Sequence, residues 1–282
     1  MPLPPFVIPR FNPREIPGLA AWYDAADSAS VITEGSPVRV SQWSDKSGNA
    51  RHATNTTSGS TQPSYTTAAR NGLNVLTFAA ASVQRLTVAG TSTFNFLHNG
   101  TDSFVAAVSV YGTVANPQAV YGLFGNNALT TANVGIGAQY QDTGGGSPND
   151  AIRVDVTNGV SGSPAINGLN AANTEVLSAY FNLLTAQTVL VQEFAIDADN
   201  ATASQRFKVR VNGGTEANAN NKTTAPSAAN ATFGLQIGTV GNNAVPLQGD
   251  ICELMFFNQL PTAAARDLIR RYLGSKWGVT VA

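Results

Sequence analysis

The sequence predicts an all-β fold: an antiparallel two-sheet β-sandwich, closed by one short helix at the end of the 282-residue chain. Three observations carry this. Short segments of alternating or wholly apolar residues recur from Leu19 to Phe257, separated by turn-forming dipeptides. Asn71-Gly72, Asn158-Gly159, Asn167-Gly168 and Asn212-Gly213 read as hairpin-type turns, since both residue types tolerate positive φ. Only the stretch after Pro261 shows apolar residues at good helical spacing, whereas a parallel α/β fold needs helices between its strands.

The chain opens on Met1 to Gly18, which holds Pro2, Pro4, Pro5, Pro9, Pro13 and Pro17. Proline fixes φ and removes a donor, so this is neither helix nor inner strand. Phe6, Val7, Ile8, Phe11 and Ile16 are too apolar for a solvated linker, and 1–18 reads as an extended arm lying on a surface. Packing on its own domain is the first expectation, and docking on a neighbouring subunit the second. The remainder, 19–282, reads as one domain.

Strands are expected at Leu19–Tyr23, Val38–Trp43, Leu73–Phe78, Ser103–Tyr111, Ala119–Gly125, Asn133–Tyr140, Ala151–Val156, Glu175–Asn182, Thr188–Ile196, Arg206–Val211, Phe233–Gly238 and Ile251–Phe257. Asp45 can cap the amides of the turn that follows it, and Gly48 is free to take positive φ. Asp142–Asn149 and Asn212–Asn230 read as long loops. In the last segment Thr262 is placed as an N-cap, Leu268, Ile269, Tyr272 and Leu273 recur at helical spacing, and Gly278 stands where the helix should close.

Composition excludes several classes of function. Charged residues make up 12%, about half the usual share, and the net charge is −1. Such a surface has no electrostatic footprint for nucleic acid or an anionic membrane. No stretch approaches the roughly 18 apolar residues of a membrane span, and the N-terminal segment lacks the pattern of a signal peptide. The one cysteine, Cys252, sits inside an apolar strand and reads as a small core residue.

The segments Leu19–Asp27, Val40–Ala53, Gln62–Tyr65 and Asn71–Phe78, with the ending Gly249–Glu253 through Trp277-Gly278, resemble the concanavalin A-like, laminin-G-like jelly-roll family. The match covers about the first sixty residues after the arm and the last thirty-odd, and the middle matches in general character only. The resemblance implies two antiparallel sheets, one concave and often used to bind glycans or proteins. Similar domains occur in phage virion proteins and bacterial surface proteins. The sequence departs from the family at Ala265, where members commonly carry an acid that completes the helix-capping box.

Candidate sites are few. Trp22, Trp43 and Trp277 lie inside the fold-defining motifs and read as core. Tyr65, Tyr121, Tyr140 and Tyr180 are looser candidates for a binding face, and no carbohydrate-binding residue is singled out. Glu193, Asp197 and Asp199 share parity on one strand, and the expected reading is a solvated outer face with Phe194 and Ile196 inward. The run lacks the Glu-x-Asp-x-x-Glu pattern of the fold's glucanases, because Ala195 stands at the middle position. Asp197, Asp199 and Asn200 cluster oxygen ligands that suit calcium weakly, without an EF-hand pattern. No other cofactor is expected. His52 and His98 have no His or Cys neighbour for zinc, and neither a nucleophile elbow nor a phosphate-binding glycine loop is present.

The expectation from these features is a non-catalytic virion structural or accessory subunit: a capsid decoration, head fibre or tail-associated protein. It would be made in a host cytoplasm, oligomeric within its assembly, docked on other virion subunits by the arm, and able to touch host glycans. The alternative is a free carbohydrate-binding module of a bacterial surface or secreted protein. A glycoside hydrolase is the third reading.

Overall fold

The computed structural model describes residues 11–57, 59–111, 120–127, 133–142, 150–159, 166–167, 188–202, 205–218 and 226–282. In chain order the described strands are β1 (Leu19–Asp24), β2 (Val31–Glu34), β3 (Arg39–Trp43), β4 (Ala53–Thr54), β5 (Ser64–Arg70), β6 (Leu73–Phe78), β7 (Leu86–Val88), β8 (Ser103–Tyr111), β9 (Val120–Gly125) and β10 (Val134–Asp142). They continue with β11 (Asp150–Asn158), β12 (Ile166–Asn167), β13 (Leu190–Ile196), β14 (Phe207–Val211), β15 (Ala217–Asn218), β16 (Leu235–Ile237), β17 (Thr239–Val240), β18 (Val245–Pro246) and β19 (Gly249–Phe257), then helix α1 (Ala263–Trp277). The expected strand Glu175–Asn182 lies outside the described residues.

The first layer is built around β19, which pairs antiparallel with β8 on one side. On the other side it pairs with β6 through its first residues and with β1 through its last. β8 hands on to β13, β14 and β15. The second layer runs β12, β11, β10, β9, β16, β7, β4, β3, β2. A single pairing of β3 with β5, and of β5 with β6, joins the two layers by hydrogen bonds. The result is the all-β sandwich that the short strands and asparagine-glycine turns predict.

Side-chain parity sorts the apolar residues onto two cores. Tyr23, Val105, Phe194, Leu254 and Phe256 of the first layer face Phe124, Ile136, Val154 and Ile237 of the second. Trp22, Phe104, Ala195, Met255 and Phe257 point the other way and meet Ile269, Leu273 and Trp277 of α1. Strands covered on both faces lose the simple inside-outside alternation, which is why β19 reads as a continuous apolar run. A bulge in β19 between Ile251 and Glu253 breaks its register with β8. The extra residue lets Cys252 join the helix-side cluster while Glu253 bonds Trp277 on that same side.

The helix begins and ends as its sequence predicts. Thr262 Oγ1 accepts from the Ala265 amide at 3.2 Å, half of a capping box, and Gly278 closes the helix at φ 72°. One position differs: Leu268 is 49% exposed, and the buried stripe is Ile269, Leu273 and Trp277. In the expected arm, Phe6, Val7 and Ile8 lie outside the described residues. Phe11 and Ile16 pack on this chain's own helix-side core, with the Phe11 ring 5.1 Å from that of Tyr272. These two side chains are thus partly buried in cis, as the first of the two expectations has it.

His98 is fully buried between its own 3-10 turn and the 226–230 segment, with Nε2 3.1 Å from the Ala229 carbonyl oxygen. Burial lowers its pKa below the ordinary 6.5, with the Ala229 carbonyl opposing. The unfolded chain therefore binds the proton more tightly than the folded one. Stability contributed by neutral His98 is whole above 6.5 and falls as pH drops through that value towards the depressed one. Denaturant unfolding across this window should show that slope in the wild type and lose it in His98→Gln. An unchanged slope in the variant would assign the effect elsewhere.

Candidate functional site

The outward face of the second layer carries a row that crosses four strands. Gln236 of β16 stands opposite Gly125 of β9, Gly125 opposite Gly137 of β10, and Gly137 opposite Asp155 of β11. Ile136, Ala138 and Tyr140 point into the sandwich, so alternation turns Gly137 and Gln139 outward. The glycines leave room for neighbours to approach the bare sheet. A Cβ on Gly125 would meet Val240 Cγ1 at 2.6 Å, and one on Gly137 would meet Asn127 Oδ1 at 2.9 Å. Residues of the β17–β18 hairpin thus lie over one end of the row, and Asn127 lies over Gly137.

This patch is polar and shielded. Asn127, Gln139, Asp155, Thr157 and Gln236 are all buried. Gln236 Nε2 donates to Asn243 Oδ1 at 3.0 Å. Both side-chain polar atoms of Asn127, and Oε1 of Gln139, have no hydrogen-bond partner. A buried amide without a partner costs roughly 1–3 kcal/mol, so such groups are rare where nothing binds them. Their neighbour Asn126 shows the contrast: its Oδ1 accepts from the Ile136 amide at 2.7 Å. The patch therefore offers amide donors and acceptors, with a carboxylate nearby, beside a backbone stripped of side chains.

A second polar constellation lies at the junction of β1, β19 and α1. Asp24 and Glu253 are cross-strand partners, and Lys276 Nζ bridges them at 2.6 and 2.7 Å. Glu253 also accepts from Trp22 Nε1 and Trp277 Nε1, each at 2.8 Å, and from the Tyr272 hydroxyl at 3.1 Å. Lys46 pairs with Asp24 at 2.8 Å and Asp27 at 2.7 Å, and sits 4.4 Å over the Trp22 ring. Burial pushes the Glu253 carboxyl up, and the Lys276 charge pulls it back. A groove of about 1040 Å³ opens above, between α1 and the Pro13–Glu15 turn. The ion pairs on its floor satisfy one another, and both oxygens of Glu253 are already taken by Trp22, Tyr272, Lys276 and Trp277. Chemically this is a clamp on the two ends of the chain.

The residues singled out in the sequence fare differently. Trp43 and Trp277 are core, and Trp22 is nearly so. Asp45 caps the amides of Trp22, Ser47 and Arg51, and His52 Nδ1 accepts from the Asp45 amide at 3.1 Å. Tyr140 is no surface platform: its hydroxyl is held inside by Gln192 at 2.5 Å and Ser109 at 3.2 Å. Tyr65 donates to the Ala25 carbonyl at 2.9 Å, Tyr121 packs against the main core, and Tyr180 lies outside the described residues.

Glu193 corrects a second expectation. Phe194 and Ile196 do point inward, but the opposite face of β13 lies under the C-terminal helix and is dry. Glu193 is buried and accepts from Arg270 Nε at 2.8 Å, while burial raises its pKa against the pull of that guanidinium. Asp197, Asp199 and Asn200, the weak calcium candidates, form a turn. Asn200 Nδ2 donates to Asp197 Oδ2, Asn200 Oδ1 accepts from the Thr202 amide, and Asp199 lies against Gly100. Among the described residues no three His, Cys, Asp or Glu gather as a metal-binding group. No helix of the described residues is long and apolar enough to cross a membrane.

Neither a protein-family model nor a curated protein matches this sequence. Solved structures do. An arabinofuranosidase complexed with arabinofuranosyl-α-1,2-xylobiose is similar at TM-score 0.56 and 12% identity over 87% of this chain. A GH54 α-L-arabinofuranosidase is similar at TM-score 0.56 and 11% identity over 94%. This chain spans 52% and 64% of the lengths of those two chains. Domain 4 of AbnA, a GH43 extracellular arabinanase from Geobacillus stearothermophilus, was solved with arabinotriose. It is similar at TM-score 0.52 and 14% identity, over 90% of this chain and 98% of that one.

At these identities the likeness is one of fold. It corrects the expectation of a non-catalytic virion subunit: the shared sandwich is that of glycoside hydrolases and of a domain solved with an oligosaccharide. Virion membership has no support among these structures, and the exclusion of catalysis is withdrawn.

Proposed function

We propose that this chain is a carbohydrate-active β-sandwich of the lectin-like jelly-roll kind, with 19–282 as one unit, and that it binds a glycan on the outward face of β9, β10 and β11. The observation that carries the reading is the orphaned amide set at Asn127 and Gln139 around Gly137. Sugars present vicinal hydroxyls that donate and accept at once, which is what such amides lack. The size match with an arabinanase domain solved with arabinotriose, over 98% of that domain, supports the same class of ligand. Hydrolysis is the second reading, favoured by the likeness to two arabinofuranosidases.

Calorimetric titration with arabinotriose and other oligosaccharides tests binding, and reducing-sugar release from the same mixtures tests turnover. Gln139→Ala should bind about tenfold more weakly, the loss of roughly one well-made hydrogen bond, with its unfolding midpoint little changed. Equal affinity in wild type and Gln139→Ala would remove the sheet face from the proposal. Absence of binding and turnover across the panel would remove the carbohydrate reading.

A further inference from the structure

We propose a second saccharide subsite in the cleft between the β2–β3 turn and the 59–62 segment, where Gln62 Oε1 accepts a hydrogen bond from a sugar hydroxyl. It rests on the carbohydrate reading for the class of ligand, and on its own geometry for the place. The cleft measures about 590 Å³ and is lined by Glu34, Ser36, Pro37, Arg39, Ser60 and Gln62 among others, within the range of small-ligand sites.

Gln62 is one of its lining residues and is itself wholly buried. Its Nε2 donates to Glu34 Oε1 at 2.6 Å and to the Asn55 carbonyl at 2.8 Å. Two acceptors on one side fix which end of the amide is nitrogen, since a flipped group would set oxygen against both. Oε1 is left without a partner. Arg39 is held on the wall by Nη1 donating to Ser64 Oγ at 2.7 Å. The cleft therefore combines a glutamine oxygen and a carboxylate as acceptors with a guanidinium as donor.

The same hairpin carries Ile32 and Val38, 49% and 52% exposed, two of the four large apolar side chains so exposed among the described residues. Acceptors and a donor beside an apolar surface match a sugar, whose ring has hydroxyl edges and C–H faces. Glu34 opposes a phosphate, and the guanidinium opposes a metal cation.

The test is a ¹H–¹⁵N titration of the full chain with arabinotriose, following the Gln62 side-chain NH₂ and the amides of Gly35, Gly59 and Ser60. These signals should shift and saturate in the wild type and in Gln139→Ala. The amide signals of Gly35, Gly59 and Ser60 should require at least about tenfold more ligand in Gln62→Met, which removes the side-chain amide at similar volume. Glu34→Ala, an exposed position, should give the same direction of effect and covers the case in which Gln62→Met does not fold. Shifts confined to the β9–β11 face and lost in Gln139→Ala would overturn this subsite and leave the function above standing. Shifts confined to the cleft would establish it and remove the sheet face. No shift at either place would overturn both.

Discussion

Glu253→Ala is expected to lower the unfolding free energy by about 3–5 kcal/mol, the usual cost of removing one partner from a buried ion pair. The carboxylate has no exposed surface and serves two indole N–H groups, a tyrosine hydroxyl and a lysine. Taking it away strands both indoles and leaves Lys276 with Asp24 and the Tyr272 hydroxyl. Its partners come from β1 near the start of the described chain and α1 near its end, so the loss loosens the junction of both with β19. Denaturant unfolding measures the effect. Combining Glu253→Ala with Lys276→Met measures the coupling of the pair, since the two losses should fall short of adding where the side chains act together. A loss under about 1 kcal/mol in Glu253→Ala would show that the network is not a clamp.

Phe256→Ala should cost about 3–5 kcal/mol, with a melting temperature lower by roughly 10 °C. The ring is wholly buried on the inward face of β19. Its centroid lies 5.3 Å from that of Phe94, 5.3 Å from that of Phe124 and 6.3 Å from that of Tyr23, so it touches both layers. Truncation leaves a cavity walled by rings that cannot all collapse into it. Phe256→Leu should lose about half as much, since it keeps most of the volume. If the alanine variant unfolded like the wild type, the interface between the layers would not centre on this ring.

Much of the fold was legible because strand periodicity and turn chemistry are local. The expected segments at Leu73–Phe78 and Ser103–Tyr111 are observed strands with the same ends, and Thr262 and Gly278 bracket the helix as expected. β5 was missed. Its sequence, SYTTAAR, is polar and half-exposed, and its pairing with β6 holds it as a strand despite a register shift between Thr66 and Arg70. The candidate site was hardly legible. Gly137 and Gln139 show their shared parity in the sequence, but nothing local places Asn127 over one of them or strips its amide of partners.

Residue order alone determined that this chain is a sandwich with a helical end, which residues of each strand share a face, and that the tryptophans are core. Tertiary structure decided what covers each face. Alternation separates the two sides of a strand without saying whether water, a helix or the opposing sheet lies beyond. Glu193 was expected in solvent and lies under α1, and the bulge in β19 turned Glu253 to the helix side. Those outcomes depend on contacts between segments some 80 to 230 residues apart, and local sequence carries no record of them.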